Sequence, residues 1–419
     1  MENNKIREFN MPEGNLFKKL KYIFGFIGAG SVLMSAVMGP GTLAASISAG
    51  SNFGYSLLWV IILGGIMNGV VSYVGGKIAC ITGKSVYEYF ADKYGKVFTT
   101  VLLCLVLTTW ALVILSQGAA MLQIVEFFVG APGTIAIIAF IIVELVAGYF
   151  FTSGNVTVNK LASYMVTIVS LLLLINVFVV KPDMVEVGKG LIPRIPPLAQ
   201  AAVITGIIGG SAPGTSAAWY SISVKKSGYT HPDNLRFIAW DQIYFSFVFI
   251  VFSAGAFLSA AAVLNPMGII PSSTLDAAIS LEPLVGSMAK WIFALGFFGA
   301  LFTTVGGMSN LFSEGINQIK TINSSSNTEN TSNRVVWLGI LISIAGGLVI
   351  KGSIMKVLVS FIGLLNLGGF IIIFLLTKDL RNKEFAGKYR NGIILTIFSC
   401  LAVILNGYAV INYVLKFIK

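Results

Sequence analysis

The sequence predicts an all-α integral membrane protein of eleven transmembrane helices: two five-helix inverted repeats and one further helix. Three observations carry this. The chain is too apolar for water, it holds eleven apolar runs of about spanning length, and two glycine–proline interruptions fall at matching places five spans apart. The 419 residues are 56% hydrophobic and 11% charged, with a mean hydropathy of +0.86, whereas a soluble domain carries about 25% charged residues. The 28 basic and 17 acidic side chains cannot cover a water-soluble fold of this length, which excludes soluble enzymes and nucleic-acid-binding modules. The net charge of +11 then reads as topology-setting loops, with the lipid bilayer rather than a nucleic acid as partner.

A spanning helix needs about 20 mostly apolar residues. The runs that answer to this are 22–49, 54–80, 97–128, 134–152, 156–180, 197–224, 237–264, 285–316, 335–350, 354–377 and 391–416. They are continuous rather than alternating, so the spanning elements are helices and not barrel strands. The whole chain, 1–419, reads as a single transmembrane transporter domain, with repeat one at about 22–180, repeat two at about 197–377 and the extra helix at about 391–416. Residues 1–21 are mixed in charge and lack the apolar core of a secretory signal.

Orientation follows from the basic residues. With the N-terminus inside, 20 of the 28 Lys and Arg fall on the inner side, at the N-terminus, 77–96, Lys160, 225–236, 320–334 and 378–390. Basic residues concentrate in cytoplasmic loops, so the N-terminus is expected in the cytoplasm and the C-terminus outside the plasma membrane. The Asn- and Ser-rich segment 323–333 is then a flexible cytoplasmic linker, and the N-x-S/T tripeptides at Asn323 and Asn330 carry no glycosylation meaning there.

The two interruptions are the most informative local feature. Span one holds Met38-Gly39-Pro40-Gly41-Thr42, and span six holds Gly209-Gly210-Ser211-Ala212-Pro213-Gly214-Thr215-Ser216. Proline removes a helix donor and clashes with the preceding turn, while glycine relieves the cost of unwound dihedrals. Unwound backbone within a membrane is tolerated where it lines a cavity or is buried in protein. Matched breaks in two halves point to the binding site of an inverted-repeat transporter, against the plainer reading of proline kinks or close helix packing. The expectation is that 39–42 and 210–216 are both unwound.

The order of residues then resembles a known family. Gly28-Ala29-Gly30, Gly39-Pro40-Gly41-Thr42, the run 49–59 (Ala49-Gly50-Ser51-Asn52-Phe53-Gly54-Tyr55-Ser56-Leu57-Leu58-Trp59) and Thr82-Gly83-Lys84 look like the first two helices of the NRAMP divalent-metal transporters. The likeness continues through Lys181-Pro182-Asp183, Gly206-Ile207-Ile208-Gly209, Leu235-Arg236-Phe237 with Asp241, and Pro283-Leu284-Val285-Gly286-Ser287. It covers essentially the whole chain and implies the broken-helix, inverted-repeat fold shared with LeuT-type amino-acid carriers.

The resemblance also marks departures at the site it implies. Gly39 stands where the family has its metal-binding Asp, and Thr42 where it has Asn. The family's Met-Pro-His on span six aligns with Pro213-Gly214-Thr215 in ungapped register, or with Ala212-Pro213-Gly214 if the prolines are matched; thioether and imidazole are gone either way. An acidic position on span three becomes Gln117, and the family's span-ten glutamine falls within one residue of Asn366.

Selectivity for transition metals depends on soft or borderline ligands set beside a carboxylate. What remains here is oxygen and amide: Gly39, Gly41, Thr42, Gln117, Ala212, Pro213, Gly214, Thr215, Ser216 and Asn366 form the expected substrate site. Magnesium is hard, binds oxygen and sheds water reluctantly. The expected substrate is therefore a hard divalent cation such as Mg2+, held weakly and partly hydrated by Thr42, Thr215 and backbone carbonyls. NRAMP-related magnesium transporters, which lack the span-six methionine, are the relatives this implies. Transport would run by alternating access without the family's usual proton coupling.

The rival substrate is a small organic solute such as an amino acid. Half-helix N-termini suit a carboxylate, and Trp219 and Tyr220 are candidates to wall its pocket, against the plainer reading that they pack between helices. An uncoupled channel or a transport-dead receptor is the third reading.

Among the acids within spans, Glu144 is the candidate for a buried coupling role. Asp241 and Glu314 are expected to pair with Arg236 or Lys320 near the cytoplasmic face. Cys80, Cys104 and Cys400 lie far apart in apolar runs, and His231 sits alone in a polar stretch, so neither a disulfide framework nor a zinc site is readable. No nucleophile–base pair or phosphate-binding loop can be placed, and no enzyme or cofactor is expected.

Overall fold

Residues 15, 38–153, 171–194, 201–211, 213–324 and 333–418 are described in a computed structural model, and every regular element among them is helical. α1 (Pro40–Phe53) passes through a single 3₁₀ turn, Gly54–Leu57, into α2 (Leu58–Thr82), which stops at Gly83 in the left-handed conformation (φ 70°). α3 (Val86–Tyr94) starts on a capping box between Ser85 and Glu88. α4 (Lys96–Val129), α5 (Thr134–Ser153), α6 (Leu171–Val180) and the short α7 (Met184–Gly190) follow. The second half comprises α8 (Ala201–Ser211), α9 (Pro213–Lys226), α10 (Leu235–Val263), α11 (Ala289–Asn323), α12 (Asn333–Val349), α13 (Ile354–Gly363), α14 (Leu365–Arg381) and α15 (Ile393–Ile418).

Among the described residues, seven helical stretches are long and apolar enough to cross a membrane. Each expected span has a helix in its place wherever it is described, although 22–37 of span one and 156–170 of span five lie outside the described residues, as do 325–332 of the expected linker.

The breaks are narrower than expected. α1 is already helical at Gly41 and Thr42, α8 stays helical through Gly210 and Ser211, and α9 is helical from Pro213. The reason is positional: proline is well suited to the first residue of a helix, where its missing N–H costs nothing. Pro40 therefore opens a helix instead of unwinding the turn that follows it, and in span six the described residues on both sides of position 212 are helical. Gly39, extended at φ −103° and ψ −176°, is the turning point of span one. Span ten holds an interruption that the sequence does not announce, a turn at Leu364 between α13 and α14.

Close helix crossings hold the bundle together. A Cβ at Gly75 of α2 would overlap the backbone of Ala217 on α9, and one at Gly214 of α9 would overlap the Gly369 carbonyl on α14. Gly118 and Gly346 do the same for the α4–α12 pair, against Ser343 and Leu115. Apolar burial drives nothing between helices already in lipid, so approach of this kind supplies the packing. Two apolar clusters fill the interior, one around Trp110, Trp219 and Phe245, the other around Ile47, Phe257 and Phe293. Met38 packs against both, which sets the span-one break at the waist between them. α5 and α15 turn Ile138, Ile142, Ile397 and Ile404 outward, as lipid-facing helices do.

At one end of the bundle α3 is strapped across its neighbours. Asp379 on α14 accepts from Tyr89 (3.0 Å), Tyr94 (2.7 Å) and Lys93 (2.6 Å), while Lys225 on α9 pairs with Glu88 at 2.6 Å. Burial first, and then the Asp379 carboxylate, hold both phenols above their ordinary pKa, so they remain donors. The expected pairings of the acids are corrected here. Glu314 pairs with Lys226 rather than Lys320, and Asp241 is buried and accepts from Tyr220 at 2.6 Å rather than pairing with Arg236. These partners come from neighbouring helices, which local spacing cannot reveal.

Candidate functional site

The candidate site is the junction where the start of α1 meets the last described turn of α8, before position 212. A proline at 213 has no N–H to donate back to Gly209. Side chains reach the carbonyls of α8 in this stretch, two of them from other helices. Thr42 Oγ1 donates to the Gly210 carbonyl at 3.1 Å, Asn68 Nδ2 of α2 donates to the Ser211 carbonyl, and Ser211 Oγ donates to Ile208 at 2.8 Å. Ser72 donates to Asn68 Oδ1 at 2.9 Å and so fixes which way that amide faces. Asn366, in the first turn of α14, donates to Thr205 of α8 at 3.1 Å and to Gly363 at 2.7 Å, bridging the span-ten turn to span six.

Beside this junction lies a small cavity lined by Thr42, Ser46, Ser211 and Ser253, with Ile61, Ile207 and Phe249 closing it. It has room for about one water molecule. Ser253 Oγ on α10 is buried without a hydrogen-bond partner among the described residues. An ideal Cβ on Gly39 would sit 2.7 Å from Thr304 Oγ1 and 2.9 Å from its Cγ2, so buried Thr304 of α11 walls the break.

Hydrogen bonds thus bring Thr42 and Asn366 onto α8, the one to Gly210 and the other to Thr205, with Gly39 and Gly41 in or beside the first turn of α1. Gln117 on α4 and Thr215 and Ser216 on α9 are buried, with Gln117 Oε1 and Ser216 Oγ lacking partners among the described residues. Pro213 and Gly214 are helical in the first described turn of α9, Gly214 closely packed on Gly369. Ala212 lies outside the described residues. Glu144 is buried on α5 and accepts from Ser343 of α12 at 2.9 Å, behind α4 rather than on the α1–α8 junction.

Trp219 packs edge-on against Trp110 (centroids 5.7 Å apart) and Tyr87 (6.1 Å), and Tyr220 is committed to Asp241, so both aromatics take the packing role. Sequence reasoning missed Ser46, Asn68, Ser253 and Thr304. Asn68 was the findable one: an amide in the middle of an apolar span is costly unless it has a task.

What this arrangement offers a substrate is neutral oxygen and nitrogen. Among the described residues no group of three or more His, Cys, Asp or Glu is placed to hold a metal. The start of α1 adds the positive end of its helix at the Gly39 break.

Comparison with known proteins gives consistent results. Residues 30–416 match the family model described as natural resistance-associated macrophage protein-like, Nramp. The divalent metal cation transporter MntH of Caldanaerobacter subterraneus subsp. tengcongensis is 24% identical over 320 residues, 73% of this chain and 74% of its own. The Eremococcus coleocola manganese transporter, solved with an aromatic bis-isothiourea substituted compound, superposes with a TM-score of 0.73 at 16% identity, over 99% of this chain and 90% of that one. MhsT in complex with L-phenylalanine superposes with a TM-score of 0.60 at 14% identity, over 93% of this chain and 98% of that one.

Proposed function

The chain belongs to the Nramp-like family of membrane transporters, and from that premise we propose that it carries a hard divalent cation, Mg2+, bound between α1 and α8–α9 by neutral oxygen ligands. The observation that carries this reading is the α1–α8 junction itself. In a family whose relatives include transporters named for manganese and divalent metals, the break carries a glycine at 39 and a threonine at 42, and the described groups around it are hydroxyls, amides and carbonyls. Such groups suit the water shell of a hard ion, and Mg2+ keeps that shell reluctantly exchanged. Thr42 and Thr215 would act through that shell, with Gln117, Ser216 and Asn366 as further amide and hydroxyl partners.

A cavity with room for about one water does not hold a partly hydrated Mg2+. The reading therefore requires α1 and α8 to part, with Gly39 as a hinge of an alternating-access cycle. The proposed frame is two repeats at about 22–180 and 197–377 with an added last helix, in a plasma membrane, N-terminus inside and C-terminus outside. Manganese would bind weakly, and the family's usual proton coupling would be absent; Glu144 is the carboxyl we propose for any coupling that remains.

A second reading rests on a separate observation. α1 opens on Gly39 with no side-chain cap and Pro40 in its first turn, so a positive helix end lies at the span-one break. Positive helix ends suit the carboxylate of a small organic solute.

Gly39→Asp separates the two, provided room is made for it by Thr304→Ala, with Thr304→Ala alone as the control. A unit negative charge about 4 Å from a divalent ion is worth roughly 8 kcal/mol at an effective dielectric near 20, before desolvation costs. Even a small surviving fraction gives a tenfold gain, since that needs about 1.4 kcal/mol. Calorimetry should register Mg2+ binding at least about tenfold tighter in the double variant. Collapse of organic-solute flux with no gain for Mg2+ would overturn the cation reading.

A further inference from the structure

A groove lies remote from the α1–α8 junction. It lies where α14 ends and α15 begins, with a volume of about 680 Å3, and is lined by Arg381, Arg390, Asn391 and the apolar face Ile393, Ile397 and Ile404 of α15. No carboxylate lines it. Arg381 and Arg390 are both exposed, and neither forms an ion pair with a described residue. Asp379, two residues before Arg381, is committed to Lys93, Tyr89 and Tyr94 on the other side of α14.

Behind the groove stands a third cation. Lys77 of α2 is 5% exposed, and its ammonium donates to Asn391 Oδ1 at 3.0 Å; among the described residues it has no acidic partner. Asn391 is itself pinned by its backbone N–H to the Leu380 carbonyl at 3.0 Å. A buried lysine balanced by a neutral amide is expensive in a low-dielectric setting. The missing element is a negative charge, and the groove is where one can be delivered. Ile393, Ile397 and Ile404 follow helical spacing on one face of α15 and are more than half exposed. They run from the charged mouth along a helix that faces lipid.

We propose that this groove binds an anionic phospholipid. Arg381 and Arg390 hold its phosphate, the Lys77–Asn391 pair backs the headgroup, and its acyl chains lie along Ile393, Ile397 and Ile404. A charge joined to long apolar chains matches both halves of the lining, and basic pockets between helices at a membrane boundary take anionic headgroups on that principle. Arginine suits the phosphate because its planar fork can donate two bonds to it. The site is independent of the nature of the transported substrate.

The test uses the full-length chain, purified and delipidated in detergent. The probes are phosphatidylglycerol, phosphatidylcholine with the same acyl chains, and inorganic phosphate. Native mass spectrometry and lipid-titrated thermal unfolding are the readouts. Phosphatidylglycerol should bind at least about tenfold tighter than phosphatidylcholine and raise the Tm, while inorganic phosphate leaves the Tm unchanged. Arg381→Gln combined with Arg390→Gln should weaken phosphatidylglycerol by about thirtyfold and leave phosphatidylcholine unaffected. Lys77→Met should raise the lipid-free Tm and shrink the shift that phosphatidylglycerol produces, a readout that a generally basic surface would not move. Equal binding of the two lipids, an undiminished double variant, or phosphate matching phosphatidylglycerol would overturn the assignment.

Discussion

Thr42 is the residue on which the site turns, because its hydroxyl joins the start of α1 to the last described turn of α8. Removing it leaves the buried Gly210 carbonyl without that donor, at a cost of about 1–3 kcal/mol. Thr42→Ala should therefore lower the denaturation midpoint and depress transport, whereas Thr42→Ser, which keeps the donor, should retain most of both. Equal behaviour of the two variants would remove this hydrogen bond from the account. Thr42 was legible in the sequence because it lies at the glycine- and proline-marked break of an apolar span, and Asn366 because the family resemblance places a span-ten glutamine within one residue of it. Thr304 and Ser253 were not, since their part in the site depends on which faces of α11 and α10 the packing turns inward. Glu144 was legible as a lone carboxyl in an apolar run, but its partner Ser343 lies 199 residues away.

At the scale of elements, glycines at helix crossings divide into those that packing requires and those it does not. A methyl at Gly118 would collide with the Ser343 backbone of α12, while one at Gly188 of α7 meets nothing within 4 Å. Gly118→Ala should cost about 1–3 kcal/mol through forced separation of α4 and α12. Gly188→Ala should be neutral or stabilising by up to about 1 kcal/mol, since it only lowers backbone freedom within a helix. Thermal unfolding of the two variants side by side checks this, and a tolerated Gly118→Ala would mean that the α4–α12 contact is looser than described. The break at Gly39 was readable from proline and glycine chemistry, whereas in span six the residues described around position 212 are helical. The extent of unwinding was overestimated because glycine does not by itself prevent helix: Gly41 and Gly214 are both helical. The turn at Leu364 had no such marker, as Leu364 keeps ordinary right-handed dihedrals (φ −64°, ψ −21°).

For the whole molecule, hydropathy alone set the order of the helices, because lipid demands that each span satisfy its own backbone. The same uniform demand hides which spans touch, so the tie of Asn68 to α8 and the groove between α14 and α15 emerge only from packing. The central claim is that a transporter of this family moves a hard ion through a neutral, oxygen-lined site. Proteoliposome flux of Mg2+, Mn2+ and an amino-acid panel on the intact protein tests it most directly. The account predicts Mg2+ uptake that Thr42→Ala depresses, with little flux of Mn2+ or amino acids. Micromolar Mn2+ uptake lost on mutation of Thr42, or amino-acid uptake without Mg2+ flux, would contradict it.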